Sequence, residues 1–422
     1  MERPADLHID DLAHPRFDPA IREMMDQVAE ASAPVQFTTD AVLRAASEQT
    51  GLEDFGDDQF RGPLDALLSS IEHEGNLTPF GRISYFTLLL TLAKNRLQIQ
   101  DLLMRHPEIH DIEIQAPIVI AGLQRTGTTN LHSMLSADPN LRSLPYWESL
   151  EPVLGPGAMA EEGQPDPRIA LTEVALSFQE QVIPHFNRMH EMTVDHAHEE
   201  IQILAIDFST MLFESMATLP GFRDYYLSHD QQPHYEYMKT CLKALTWLRG
   251  GKRWVLKSPQ HIEQIPAVLA TFPDATVVFT HRDPVSVIAS TATMLAYAAR
   301  MHQSPVDTEA LGAYWVDRTE RMLRSCMRDR DLVAPERSMD VLFHEYMKDD
   351  MAIVHQIYDL AGQPLPASSR AAMAAYTEAH PRGRFGRISY KLADFGLTAD
   401  EVRERTRFYV DHFGLEMEST AL

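Results

Sequence analysis

Apolar residues in the first part of the chain recur at three- and four-residue spacing. AIREMMDQVAEA (20–31), TDAVLRAASEQTG (39–51) and PLDALLSSIEHEG (63–75) show it, each with Thr, Asp or Pro near its start. That period predicts helices, so residues 1–115 are expected to form a helical region packed on the rest of the molecule. From PIVIAG (117–122) onward the pattern changes. Short apolar runs at Ile118–Ala121, Trp254–Leu256, Thr276–Thr280 and Met339–Phe343 are each followed by an amphipathic stretch. Such alternation predicts the α/β class, a parallel sheet flanked by helices, for residues 116–422. Between about 150 and 250 the alternation is interrupted by RIALTEVALSFQEQVI (168–183) and EEIQILAIDFSTMLFESMA (199–217). Their helical pattern predicts an insertion covering the substrate side of the sheet. EPVLGPGAMAEEGQPDP (151–167), rich in Pro, Gly and acid, reads as a surface loop. The hexapeptide FGRISY occurs twice, at 80–85 and 385–390, with no longer repeat around either copy, so it reads as coincidence.

The 422 residues suffice for a large core, and the 44% hydrophobic content is that of a globular protein. With 37 basic and 61 acidic residues the net charge is −24, which disfavours nonspecific attraction to nucleic acid or anionic lipid. An anionic ligand therefore requires a local basic pocket. Cys241 and Cys326 form no C-x-x-C pair, and a reducing, cytoplasmic setting is expected. The N-terminal residues lack the basic start and apolar core of a secretory signal. The densest apolar stretch, YFTLLLTLA (85–93), is far shorter than the ~20 residues of a spanning helix.

GLQRTGTT (122–129) differs by one residue from a Walker A loop, with Thr128 where the lysine would stand. It follows an apolar strand and leads into TTNLHSMLS, whose Leu131, Met134 and Leu135 share a helical face. Backbone amides at such a helix start point at an anion, so the fold is expected to be P-loop-like. Arg125 supplies a positive charge three positions earlier, and Thr128 and Thr129 supply hydroxyls. A second basic site lies in ATVVFTHRDPVSVIASTATML (275–295), where Arg282 ends a strand, Pro284 opens a helix and Ser290 follows eight residues after the arginine. Eight residues are about two helical turns at ~3.6 residues each, which would let Arg282 and Ser290 converge on one phosphate.

Here the sequence resembles the cytosolic-type sulfotransferases, which use 3′-phosphoadenosine 5′-phosphosulfate (PAPS) and release the bisphosphate PAP. GLQRTGTT is similar to their 5′-phosphosulfate loop, and Arg282 with Ser290 matches their 3′-phosphate motif. WVLKSPQHIEQIPAVLATFPDATVVFTHRDPVSVIAS (254–290) is similar to the strand-helix-strand unit of bacterial members. HPRGRFGRISYKLADFGLT (380–398) resembles their C-terminal R-K-G-x-x-G segment, so the likeness runs from about 116 to 413. It implies that Arg125, Thr126, Gly127, Thr128 and Thr129 cradle the 5′-phosphosulfate. It also implies that Arg282 and Ser290 bind the 3′-phosphate, that Arg382 and Gly383 close over it, and that Lys257 holds the transferring sulfuryl group. The chain departs from the family at Asn130, where the stacking Trp stands in relatives, and at Pro381, which replaces the first basic residue of the C-terminal segment.

Sulfuryl transfer resembles phosphoryl transfer, so fixed cations such as Arg125 and Lys257 are expected to stabilise the leaving side, and no metal is required. The acceptor hydroxyl needs a general base. Pro259 occupies the family's K-T-H histidine position, which leaves His198 or Glu199, in DHAHEEIQIL (195–204), as candidates. The same residues equally suit the capping of a helix N-terminus. With His185 and His190 they also raise the possibility of a metal hydrolase, although His196 and His198 at i and i+2 diverge on a helix. The loop is further compatible with a kinase or NTPase carrying a variant Walker motif, and the basic pocket with a noncatalytic PAP-binding protein. The helical cover, rich in Met, Phe and Tyr, points to a small hydrophobic acceptor such as a lipid, sterol, phenol or glycolipid, with no nucleic-acid partner.

Overall fold

The structure, a computed structural model, describes residues 4–31, 34–155 and 164–418. Its strands are β1 (Ile118–Gly122), β2 (Leu141–Arg142), β3 (Leu144–Pro145), β4 (Ala197–His198), β5 (Arg253–Ser258), β6 (Thr276–His281) and β7 (Ser338–Leu342). Five of them form a parallel sheet in the order β2-β5-β1-β6-β7, and β3 pairs with β4 in an antiparallel ribbon. Every residue of β1 and β6 is buried, as expected of parallel strands covered by helices on both faces. The register sets Ile120 beside Lys257 and Gly122 beside Thr280. The carboxyl ends of β5, β1 and β6 therefore lie side by side, where open α/β sheets bind ligands.

The N-terminal region is helical, with helices Pro19–Ala31, Thr39–Thr50, Arg61–Glu74 and Pro79–Arg105. Thr38 and Thr78 cap two of them by accepting from the amides of Ala41 and Gly81. Leu64 and Leu92 of these helices share one apolar cluster with Val119 and Leu256 of the sheet.

The insertion differs from its sequence pattern. RIALTEVALSFQEQVI does form a helix, Pro167–Val182, but residues 199–217 hold only the short helix Ile201–Ala205 and the 3-10 turn Met211–Ser215. Between them Phe208 takes a positive φ of 56°. The neighbouring Asp207, wholly buried, accepts from Arg96 and His234, and that pairing turns the carboxylate inward where a continuous helix would carry it past. Of the loop expected at 151–167, residues 156–163 lie outside the described residues. Among the described residues no helix is long and apolar enough to cross a membrane. The two copies of FGRISY fold differently: the first opens the Pro79–Arg105 helix, and the second is non-helical and bridges Leu7 through Ile388.

Candidate active site

The loop after β1 is locked from beneath. A Cβ on Gly122 would stand 2.0 Å from Thr280 Oγ1, so only glycine lets β1 approach β6 this closely. Thr126 Oγ1 donates to Leu123 O (2.6 Å) and lies 2.7 Å from Thr280 Oγ1. Its hydroxyl thus holds the turn and is not free for a ligand. Arg125 and Gly127 both have positive φ, 69° and 88°, and Gly127 caps the Thr128–Ser136 helix. An arginine in the left-handed region stores strain of the kind found at binding loops. The helix thus opens on glycine and threonine, leaving its first amides directed at the carboxyl edge of the sheet.

Lys257 is the penultimate residue of β5 and is 1% exposed. Its Nζ pairs with Glu199 and donates to Thr129 Oγ1 at 3.4 Å. Its backbone N–H donates to Glu200 (2.9 Å), so adjacent carboxylates grip one lysine at both ends. On the other flank Arg125 donates from Nε to Ser290 Oγ (2.8 Å), from one terminal nitrogen to Met189 O and from the other to Tyr390 Oη (3.3 Å). Arg282 donates to the carbonyl of Arg125 (2.7 Å) and lies 4.1 Å from the Phe343 ring centroid. Its other two nitrogens donate to Glu418 at 2.6 and 2.7 Å, while the Glu418 N–H donates to Asp283 (2.9 Å). Arg282 and Ser290 therefore sit on one flank, but Arg125 bridges them. Arg382 pairs with Asp350 (3.2 Å) and faces the Tyr346 ring, and Gly383 has φ 73°.

Two cavities open here. The wider, about 590 Å³, is lined by Gly127, Thr129, Asn130, His196, Arg382 and Gly383, among others. The narrower, about 330 Å³, is lined by Arg125, Thr128, His198 and Glu199 together with an apolar wall that includes five methionines. Thr129 belongs to both. His198 is in β4 and not in a helix; it lines the narrower cavity, while His196, two residues earlier, lines the wider. Burial, then His196, His190 and Lys257, holds the His198 imidazole well below its usual range, so it is neutral at pH 7. Burial and Lys257 push His196 down to about 3. His198 Nδ1 and His196 Nε2 have no hydrogen-bond partner among the described residues. No group of three His, Cys, Asp or Glu side chains among the described residues is arranged to hold a metal ion.

Several contributors carry no motif. Phe343 and Tyr346 line the wider cavity beside Asn130, whose Oδ1 accepts from Tyr346 Oη (2.6 Å). Tyr390 and Glu418 arrive from the C-terminal part of the chain, and only the tertiary fold brings them to Arg125 and Arg282.

A strained anion loop, a buried lysine bonded to Thr129, and a polar and an apolar cavity meeting at that threonine suit a transferase acting on a small anionic group. The sulfotransferase family profile matches residues 117–367, more than half of the chain, and the protein belongs to that family. It is 26% identical over 321 residues to the omega-hydroxy-beta-dihydromenaquinone-9 sulfotransferase Stf3 of Mycobacterium bovis, covering 71% of this chain and 75% of that one. Among solved structures it is similar to sulfotransferase STF9 from Mycobacterium avium, with a TM-score of 0.82, 28% identity, and 92% and 100% of the two chains covered. It is also similar to STF1 from Mycobacterium tuberculosis, with a TM-score of 0.75, 29% identity, and 87% and 98% covered. The protein is a sulfotransferase, which sets aside both a kinase and a noncatalytic binding protein.

Proposed function

We propose that this sulfotransferase moves the sulfuryl group of PAPS to the hydroxyl of an apolar acceptor. The observation that carries the proposal is the meeting of a polar, arginine-bearing cavity and a methionine-lined one at Thr129, within hydrogen-bond reach of Lys257. The polar cavity suits PAPS: the amides of the Gly127–Thr129 turn and the Thr129 hydroxyl are donors for the 5′-phosphosulfate, with the Thr128 hydroxyl on the narrower side of the junction. Arg125 would join them at the 5′-phosphosulfate, while Arg282 and Ser290, with Arg382 and Gly383, would hold the 3′-phosphate. Bound PAPS supplies an activated sulfuryl group and a bisphosphate leaving group.

Lys257 presents a buried positive charge where negative charge builds on the leaving side, and Glu199 keeps that lysine aimed and balanced. His198 lines the acceptor cavity and is neutral, so its imidazole would take up the hydroxyl proton. Apolar walls, including Met211, Met216, Met294 and Trp315, exclude water and favour a hydrophobic alcohol. The name of the Mycobacterium bovis relative describes an acceptor of that kind, a hydroxylated dihydromenaquinone.

Calorimetric titration with PAP and, separately, with magnesium-ATP tests the donor. PAP is expected to bind and Arg282→Ala to weaken it. Binding of magnesium-ATP alone would sink the proposal. A mass-shift screen of long-chain alcohols, sterols and phenols then tests the acceptor.

A further inference from the structure

Lys257 is held by more than its ion pair. Glu200 is 1% exposed and lines neither cavity, yet its Oε2 accepts the backbone N–H of Lys257 at 2.9 Å. Its Oε1 pairs with His261 Nε2, and His261 Nδ1 lies 2.9 Å from Tyr235 Oη. One proton arrangement satisfies every group: Tyr235 O–H donates to Nδ1, Nε2–H donates to Glu200, and the lysine amide donates to the remaining carboxylate oxygen. His261 and Tyr235 are 1% and 0% exposed. Burial, followed by the charge of Glu200, raises the Tyr235 phenol well above its usual range, which keeps the proton needed for donation.

The chain joins three elements that the sequence keeps apart. Glu200 precedes the Ile201–Ala205 helix of the insertion, His261 lies in the Pro259–Glu263 turn after β5, and Tyr235 stands in the Gln232–Arg249 helix. A buried carboxylate needs such partners, and here they are spent on the main chain of one residue. We propose that Glu200, braced by His261 and Tyr235, is a positioning residue that fixes the carboxyl end of β5 and so aims Lys257 Nζ. Because Glu199 adjoins Glu200, the same brace sets the carboxylate paired with that nitrogen. The inference rests on the role of Lys257 in sulfuryl transfer given above.

The test uses the full chain carrying Glu200→Gln, His261→Gln or Tyr235→Phe, with PAPS as donor and a long-chain alcohol as acceptor. Lysine side chains are labelled with 15N, and the Lys257 ammonium resonance is assigned by its loss in Lys257→Arg. A shift of about 1 Å in a catalytic group costs on the order of 100-fold, so Glu200→Gln is expected to lower kcat roughly 30- to 100-fold. The donor KM should stay within about twofold, because the lost interaction is not a binding contact. His261→Gln should fall between, and Tyr235→Phe, which removes one outer hydrogen bond, should cost about threefold. The ammonium resonance should broaden in Glu200→Gln and survive in Tyr235→Phe. An unchanged resonance and kcat in Glu200→Gln, or a rise in donor KM matching the loss of kcat, would overturn the proposal. If wild type moves no sulfuryl group from PAPS, the donor assignment fails, while the ammonium resonance still decides whether Glu200 holds Lys257.

Discussion

The two cavities that share Thr129 are built by opposite means. The wider one is built from the turn after β1, with Gly127, Thr129 and Asn130, and from the segment carrying Arg382, Gly383 and Arg384, so a few short motifs fix its chemistry. The narrower one collects single apolar residues from the insertion and from the helix and turn that follow β6, including Met192, Met211, Met294 and Met301. Charge and backbone geometry are demanded at the first, whereas the second demands only volume and apolarity, which many side chains satisfy. Donor recognition should therefore be brittle to substitution and acceptor recognition plastic.

The contrast is sharpest at Lys257, which serves both sides. Lys257→Ala should reduce kcat/KM by roughly 100- to 1,000-fold in a product mass-shift assay, the scale of losing one transition-state contact. Arg282→Ala should act on the donor side alone, weakening PAP by about 10- to 100-fold in calorimetry through lost charge-assisted hydrogen bonds, with acceptor KM unchanged. Met294→Ala should do the reverse, raising acceptor KM roughly 5- to 30-fold for loss of buried apolar contact and sparing PAP. A donor-binding defect in Met294→Ala would break the comparison.

A separate effect, on stability and not on catalysis, is the pH dependence. His196 is lowered to about 3 in the folded state, against about 6.5 unfolded, so the unfolded chain binds the extra proton first as the solution is acidified. Its stabilising effect is present above pH 6.5 and is lost as the pH falls from 6.5 towards 3. Replacing it by Gln should flatten the fall of stability by up to about 1.4 kcal/mol per pH unit in that window, read from denaturant titrations at several pH values.

Legibility in the sequence followed the same division. The runs at Ile118–Ala121 and Thr276–Thr280 fall inside β1 and β6, which are buried throughout as doubly covered strands are, and those at Trp254–Leu256 and Met339–Phe343 lie within or one residue beyond β5 and β7. The break at Phe208 was not legible, since Arg96, one of the two buried partners of Asp207, is more than a hundred residues away. Nor was the side-chain traffic of the site. The Arg282 and Ser290 spacing places both on one flank, yet Arg125 bonds the serine and Glu418 bonds the arginine, contacts that depend on the tertiary fold. FGRISY makes the point most plainly. As residues 80–85 it is helical and buries Tyr85, which donates to Phe213 O; as residues 385–390 it is non-helical and brings Tyr390 to Arg125.

The Glu418 carboxylate on Arg282 gives the site a resident competitor. On the proposed assignment, a nucleotide reaching Arg282 must exchange one set of charge-assisted hydrogen bonds for another, and only a group with comparable anionic oxygens can do so evenly. A 3′-phosphate meets that condition; a 3′-hydroxyl does not, because it would leave the guanidinium short of charge. Discrimination against ordinary nucleotides, ATP included, would then be exerted by the occupant to be displaced as much as by the arginine that receives the newcomer.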